Sequence, residues 1–202
     1  MPAPSKHPEA ETLFRRNGGI LRTSRAIALG VHPRALYTLR DSGRLVRLSR
    51  GLYRLAAQGP LGDPDLVTVA LRVPQAVVCL VSALHHHGIT TQIPHAVDIA
   101  LPRGSKPPRL DFPPLRAHQF AREAFLAGVE THRVDGVPVR VFGPEKTVAD
   151  CFKFRNRIGL DVAIEALRLC RIRKRSRPAE LLRFARVCRV EKVLRPYLEA
   201  MV

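Results

Sequence analysis

The sequence lacks any run of 18 consecutive apolar residues, the length that a membrane-spanning helix requires. Its first seven residues, Met-Pro-Ala-Pro-Ser-Lys-His, also lack the apolar stretch of about 7 to 15 residues that marks a secretory signal. The four cysteines form no Cys-x-x-Cys pair, which argues against a disulfide framework or a zinc knuckle. We therefore expect a soluble, cytoplasmic protein with no membrane partner, in which Cys79, Cys151, Cys170 and Cys188 are reduced and mostly buried.

Acidic residues are also scarce. There are 17 Asp and Glu against 34 Lys and Arg, so the formal net charge is +17, and nearly all of the cations are arginine. The planar arginine fork suits phosphate oxygens and guanine edges, so the charge favours nucleic acid as the partner over an acidic protein or a membrane surface. A GC-rich genome that favours arginine codons is the alternative explanation. With 46% hydrophobic and 25% charged residues the chain is globular, and 202 residues suit two small domains.

The first 57 residues predict a winged helix-turn-helix. Gly18-Gly19 ends a first helix, Thr23 or Ser24 caps a second, and Pro33 begins a third that ends before Gly43. A hairpin follows, with its tip at Arg50-Gly51. The predicted helices are residues 8–17, 25–29 and 33–42, and the predicted strands are 45–48 and 52–55.

After a linker at residues 56–64, residues 63–202 predict a mixed α/β domain with a small sheet and C-terminal helices. Its clearest signal is Asp135-Gly136 between alternating apolar residues, which favours a type I′ hairpin turn. The predicted strands are 75–81, 96–101, 115–120, 129–134 and 137–142. The predicted helices are 63–73, 83–87 with Ser82 as cap, 144–154, 160–171, 178–187 and 190–201. The basic segment Ile172–Arg177 is predicted to be a loop, either a second phosphate contact or a solvated connection. The fold class is therefore α+β.

In a helix-turn-helix the second helix of the motif lies in the major groove, with its N-terminal residues and outward face toward the bases. Apolar spacing places Leu13, Ile27, Val31, Leu36 and Leu39 in the core. Arg34 is expected to read a guanine, and Arg47 and Arg50 to meet phosphates or the minor groove. The full set of predicted DNA-binding residues is Thr23, Ser24, Arg25, His32, Arg34, Tyr37, Thr38, Arg47 and Arg50. Arg22, Arg40, Arg44 and Arg54 are expected to add charge on the phosphate side. The alternative is an arginine-rich helical hairpin used for protein contacts.

Residues Leu21 to Leu55, which run Leu-Arg-Thr-Ser-Arg-Ala-Ile-Ala-Leu-Gly-Val-His-Pro-Arg and on to Gly-Leu-Tyr-Arg-Leu, resemble the N-terminal domain of AbiEi-type antitoxins. The resemblance continues at 81–89, Val-Ser-Ala-Leu-His-His-His-Gly-Ile, and, more specifically, in 144–167 from Pro-Glu-Lys-Thr onward. It implies a transcriptional regulator of a type IV toxin-antitoxin operon, which represses its own promoter by cooperative binding to inverted repeats. It also implies a nucleotidyltransferase-like toxin that is not held in a stable complex, and a protein that is monomeric in solution or cooperative on DNA. A solitary regulator without a toxin is the alternative.

Other constellations give no catalytic, metal or cofactor site. Consecutive side chains on a helix point about 100° apart, so His85-His86-His87 cannot all face one ion, even with His95 nearby. Lys146 and Asp150, four residues apart, predict an ion-paired helix face or a functional surface. A metal-dependent nucleic-acid-processing enzyme, the rival function, needs clustered carboxylates. The candidates for such a cluster are scattered in the sequence: Asp98, Asp111, Glu123 and Glu130.

Overall fold

The computed structural model describes residues 7–174 and 176–201, so all of the predicted polar tail except His7, and Arg175 of the predicted basic loop, lie outside the described residues. The chain forms two compact units. One unit comprises the chain up to Thr68 together with Val134–Gly136, and the other comprises Val69–Arg133 and the chain from Val137 onward. No helix in the described ranges is both long enough and apolar enough to cross a membrane.

The N-terminal unit is built from short helices and a three-stranded antiparallel sheet. In chain order its first elements are α1 (Pro8–Arg16), β1 (Ile20–Arg22), α2 (Thr23–Ala28), α3 (Pro33–Asp41), β2 (Leu45–Ser49), β3 (Leu52–Leu55) and a 3₁₀ turn (Ala56–Gln58). The strand order is β1-β3-β2, with Tyr53 of β3 opposite Leu21 on one side and Arg47 on the other. The three helices and the hairpin confirm the predicted winged helix-turn-helix. Strand β1 was not predicted, because three residues are too few to show an alternating pattern.

The core of this unit lies between the helices and the sheet. Phe14, Leu36 and Leu39 are almost completely buried, and Val31 is buried beside them. Leu13 packs against this core but is only partly buried. The prediction that Ile27 belongs to the core is wrong, since its side chain is 44% exposed. Because α2 has only six residues, Ala26 alone is buried there, and Ile27 points about 100° away from it.

The rest of the chain alternates helices and strands and then becomes helical. The elements are α4 (Pro64–Arg72), β4 (Val77–Val78), α5 (Leu80–His87), β5 (Val97–Pro102), β6 (Leu115–Phe120), α6 (Arg122–Leu126), β7 (Val129–Val134) and β8 (Val137–Phe142), then α7 (Pro144–Lys153), α8 (Arg155–Ile158), α9 (Leu160–Lys174), α10 (Pro178–Val187) and α11 (Glu191–Glu199). The Asp63 carboxylate accepts a hydrogen bond from the Leu66 N–H and so caps α4. The fold class is α+β, as predicted.

The second sheet has the strand order β6-β5-β4-β8-β7. Strand β4 pairs antiparallel with β5 and parallel with β8, and β5 pairs parallel with β6. Asp135 and Gly136, between β7 and β8, both have positive φ (49° and 80°), which matches the predicted type I′ turn. Helix α6 was not predicted, because its five residues are too few for a helical period.

Three predicted boundaries in this half are wrong. Only Val77–Val78 of the predicted strand 75–81 is a strand, because Leu80, with a positive φ of 45°, already begins α5. Ser82 therefore lies inside α5 and is not its cap. Its hydroxyl accepts a hydrogen bond from the Asp98 N–H at 2.8 Å and donates one to the Ala96 oxygen at 3.3 Å. The predicted basic loop at 172–177 is helical up to Lys174, at the end of α9.

The core of the second unit encloses α7. Val148, Ala149 and Phe152 are completely buried, as expected for the inward face of this helix. Lys146 and Asp150 are buried as well, at 0% and 1% exposure, and their side chains pair at 2.6 Å. The predicted pairing is confirmed, but the pair forms neither an outward-facing ion-paired helix face nor a functional surface, because both side chains are buried. All residues of α7 from Lys146 to Phe152 are buried, so the polar side chains of Lys146, Thr147 and Asp150 lie inside the unit.

Candidate nucleic-acid interface

The beginning of α3 is fixed by the residues that lie beside it. Pro33 occupies the first helical position, where its fixed φ suits the helix and no N–H is needed. The side chain of His32 caps the helix, since its Nδ1 accepts a hydrogen bond from the Arg34 N–H at 3.2 Å. An Nδ1 that accepts carries no proton, so the proton of the neutral ring is on Nε2. The exposed imidazole therefore keeps one N–H donor for an outside partner.

Helix α3 divides into a buried face and an exposed face. Ala35, Leu36 and Leu39 are buried in the N-terminal core. Arg34 and Tyr37 are exposed on the other side, Tyr37 at 52%, and Thr38 is half-buried beside them. Positions 34, 37, 38 and 41 follow the i, i+3, i+4, i+7 spacing of a single helix face. This face is thus open to a partner while the leucines hold the helix in place.

The side chains on the exposed face are partly ordered by local contacts. The Thr38 hydroxyl donates to the Arg34 backbone oxygen at 3.0 Å. The Arg40 guanidinium lies 5.1 Å from the centre of the Tyr37 ring and pairs with Asp41 at 2.7 Å. The side chain of Arg40 is therefore already engaged by Tyr37 and Asp41. Arg34 has no carboxylate among the ion pairs of the described residues, so it is the cation of this face best placed to meet an external anion.

Helix α2 contributes the second set of predicted residues. Ser24 and Arg25 are exposed, and Thr23 is half-buried. Thr23 is the first residue of α2 rather than its cap, because the helix begins after an extended Arg22 and has no side-chain cap. The Thr23 N–H donates instead to the Gly51 oxygen at 2.9 Å. This bond ties the start of α2 to the tip of the hairpin β2–β3.

The hairpin carries exposed cations. Arg47 and Arg50 are both exposed, and a bulge between Arg47 and Ser49 shifts the register just before the tip. Val46 is 45% exposed on the same strand. The expectation that Arg54 adds charge on the phosphate side is wrong. Its side chain is buried at 7% exposure and donates to the Gly59 oxygen, because β3 is the central strand of the sheet.

The other supporting cations differ in their availability. Arg25 is exposed and Arg22 is half-buried. Arg44 pairs with Glu11 of α1 at 2.9 Å, so it serves at least partly to attach α1 to the end of α3. The exposure of the apolar residues Ile27 and Val46 was not predicted from the sequence. Burial of apolar residues in a short helix or an edge strand depends on what packs against them, so no periodic signal could have identified either residue as exposed.

The second unit contains buried polar pairs. The His118 Nε2 and the Asp98 Oδ1 lie 2.9 Å apart, and the Cys188 thiol donates to the Asp150 carboxylate at 3.2 Å. Burial raises the pKa of Asp150, although Lys146 opposes this effect. Within the part of the chain that the structure describes, no three or more His, Cys, Asp or Glu side chains are arranged to hold a metal ion.

All four cysteines are buried free thiols, as the sequence predicted. Burial raises the pKa of each thiol, that of Cys170 to about 11 even though Ser176 contacts it. Thiolate nucleophiles are therefore not available in the folded protein at neutral pH.

The α3 face, the short helix before it and the antiparallel hairpin after it define a winged helix-turn-helix, a fold of many transcription regulators. Residues 9–56, which span this unit from α1 to the end of the hairpin, match the family model described as "Transcriptional regulator, AbiEi antitoxin". This segment is thus similar to the N-terminal part of AbiEi-type antitoxins and transcriptional regulators, and the resemblance noted for Leu21 to Leu55 is confirmed.

A solved structure shows a similar fold over nearly the whole chain. It is the crystal structure of the RV2827C protein from Mycobacterium tuberculosis, which covers 97% of this chain and 81% of that one, with a TM-score of 0.58 and 16% sequence identity. At this identity the similarity shows the fold alone. The comparison with curated proteins gave no match.

Proposed function

We propose that this protein is a sequence-specific, double-stranded-DNA-binding repressor, and that it is the autoregulating antitoxin of a type IV toxin-antitoxin operon. The observation that carries the proposal is the division of α3, with Ala35, Leu36 and Leu39 buried and Arg34, Tyr37 and Thr38 turned outward. The net charge of +17 and the family match over residues 9–56 support it. Repression then follows from occupation of the promoter.

Each predicted residue has a role in this proposal. Arg34 reads a guanine through its two parallel donors, and Tyr37 and Thr38 contact neighbouring bases or phosphates. The His32 Nε2–H, with Thr23, Ser24 and Arg25 of α2, contacts the backbone on one side of the groove. Arg47 and Arg50 on the hairpin hold the backbone or enter the minor groove on the other side. Arg54, which is buried, has no place in the interface.

The test is a titration of the full chain against the promoter of its own gene and against scrambled DNA of the same length. If the protein neutralises about six to ten phosphates, its affinity for DNA should fall roughly 10³- to 10⁵-fold between 50 and 200 mM salt. A complete lack of preference for the promoter would contradict the repressor function.

The contribution of Arg34 is tested with a variant matched in charge. We expect Arg34→Ala to weaken promoter binding about 5- to 150-fold, which corresponds to about 1 to 3 kcal/mol, and to leave binding to scrambled DNA nearly unchanged. The control is Arg183→Ala, which removes an exposed cation on α10 that pairs with Glu180. An equal loss on both DNAs would assign Arg34 to the phosphates instead of the bases.

The operator is expected to be an inverted repeat, with a protein that is monomeric when free and binds the two halves cooperatively. Removing one half-site from the probe should therefore weaken binding by more than twofold.

The toxin is proposed to be nucleotidyltransferase-like and not to form a stable complex with this protein. Co-expression of this protein with the toxin should therefore restore growth, although the two proteins should not co-purify.

The rival function, a metal-dependent nuclease, would degrade labelled DNA in the presence of Mg²⁺ or Mn²⁺, whereas a repressor leaves the DNA intact.

A further inference from the structure

His86 and His132 of the second unit share a hydrogen bond that no role described so far requires. His86 is on α5, and His132 is on β7, 46 residues further along the chain. The His86 Nε2 and the His132 Nδ1 are 3.0 Å apart. Both rings are half-buried, so solvent reaches them.

The proton positions in this pair follow from the carboxylate behind it. Glu130 lies two residues before His132 on β7, on the same face of the strand, and its Oε2 is 2.7 Å from the His132 Nε2. An ionised carboxylate only accepts, so His132 carries its proton on Nε2 and offers a lone pair on Nδ1. His86 therefore donates from Nε2. The two nitrogens point at one place, which a single proton occupies.

We propose that this place is a binding site for a divalent transition-metal ion of the nickel, copper and zinc group. The ion would replace the shared proton, with His86 Nε2 and His132 Nδ1 as its two protein ligands and solvent in the remaining positions. Both ligands bind as neutral imidazoles, so the proton that leaves His86 Nε2 is taken up at its Nδ1, no net proton is released, and the charge of the site rises by two.

The distance between the two nitrogens fits such an ion. With metal–nitrogen bonds of about 2.0 to 2.1 Å, two neighbouring ligands are about 2.9 Å apart in a square-planar site and about 3.3 Å apart in a tetrahedral one. The observed 3.0 Å lies between these values. The separation of the two nitrogens therefore needs little change, but both rings must turn so that their lone pairs meet at the ion, which lies off the line between the nitrogens.

Glu130 has the position of the carboxylate that orients a metal-bound histidine. A ligating histidine usually donates its second N–H to such a group, which fixes the ring and raises its basicity. His87 adds rigidity, because its ring packs edge-on against His86 and His132 at 5.2 and 5.5 Å and its Nε2 is held 2.7 Å from the Phe142 oxygen.

The run His85-His86-His87 cannot bind one ion by itself, because consecutive side chains on a helix point about 100° apart. Only one histidine of the run takes part here, and the second ligand comes from another element. His85 turns elsewhere, with its Nδ1 3.2 Å from the Gln92 oxygen. This makes His85 a matched control on the same helix.

The test uses the full chain, freed of metal by a chelator, in calorimetric titrations with Zn²⁺, Ni²⁺ and Cu²⁺. We expect one equivalent to bind, most tightly for Cu²⁺ in accordance with the usual order of affinities, and more weakly as pH falls. His86→Gln and His132→Gln should each weaken binding at least 10-fold, and Glu130→Gln about 10-fold. His85→Gln should bind as the unaltered chain does.

The electron paramagnetic resonance spectrum of the Cu²⁺-loaded, unaltered protein is a second readout that does not depend on the folding of any variant. Coupling to two imidazole nitrogens supports the site. Coupling to one nitrogen or to none, no binding of any of the three ions, or an equal loss in His85→Gln would each overturn it.

Discussion

The buried pair of Lys146 and Asp150 allows a prediction that can be worked out in some detail. Both side chains are at most 1% exposed, and the ammonium also lies 4.0 Å from the centre of the Phe142 ring. Lys146→Met fills much of the same space but leaves the Asp150 carboxylate buried without its cation. Removing one partner of a buried pair costs about 3 to 5 kcal/mol, and we expect a loss in that range at pH 7.

The loss should depend on pH in a definite direction. Burial already raises the pKa of Asp150 above 3.8, and the charge of Lys146 is the first of the effects that oppose this. Without Lys146 the pKa in the folded protein rises further. A group with a raised folded pKa contributes its full stability below its unfolded pKa and loses it as pH rises through the folded value. The variant should therefore recover part of its stability as pH falls from 7 toward 4.

The measurement is denaturation of the full chain in urea, followed by circular dichroism at several pH values. Lys153→Met, an exposed position on the same helix, provides the control. The double variant Lys146→Met/Asp150→Leu removes both charges and should return to within about 1 kcal/mol of the original stability. A loss below 1 kcal/mol for Lys146→Met, or a loss that is the same at pH 5 and pH 7, would refute the argument.

Three further predictions concern other parts of the molecule. His32→Ala removes the cap of α3 and should lower the free energy of unfolding by about 0.5 to 1 kcal/mol, measured by thermal unfolding. His32→Ser supplies a new cap, so it should restore the stability, but DNA titration should show that the contact made by the imidazole is still lost. The four thiols should be inert to a thiol reagent such as Ellman's reagent at pH 8 and all react in urea, since burial raises the pKa of each; rapid reaction of any one in the folded protein would contradict its burial. Glu11→Gln should cost at most about 1 kcal/mol and lose its effect in high salt, because the Glu11–Arg44 pair is only partly buried.

The parts of the fold that the sequence predicts well are those specified by local chemistry. Pro33 and the glycine after α3 define that helix, and Asp135-Gly136 defines the hairpin β7–β8, because positive φ at both turn positions suits few other residues. The division of α3 into two faces follows from the helical period alone. These features depend on neighbours in the sequence, so no knowledge of the packing was needed.

The features that were missed depend on packing between distant segments. Arg54 and Lys146 read as surface residues, yet the central position of β3 and the enclosure of α7 bury both. Ile27 reads as a core residue, yet its short helix buries a single neighbour. The beginning of α5 lies in an apolar run that is compatible with either a strand or a helix. In the structure the strand ends before Leu80, whose left-handed backbone begins the helix. The pairing of His86 with His132 joins residues from two elements, so no motif could show it.

The capping of α3 by an outward-facing histidine limits how this module can acquire a new target. A replacement at position 32 has to supply an acceptor for the Arg34 amide as well as a suitable outer surface, which narrows the choice mainly to Ser, Thr, Asp and Asn. All four are shorter than histidine and reach less far. The DNA-sequence preference of the module can therefore change more easily through substitutions at Arg34 and Tyr37, where the side chain can vary without disturbing the first turn of the helix.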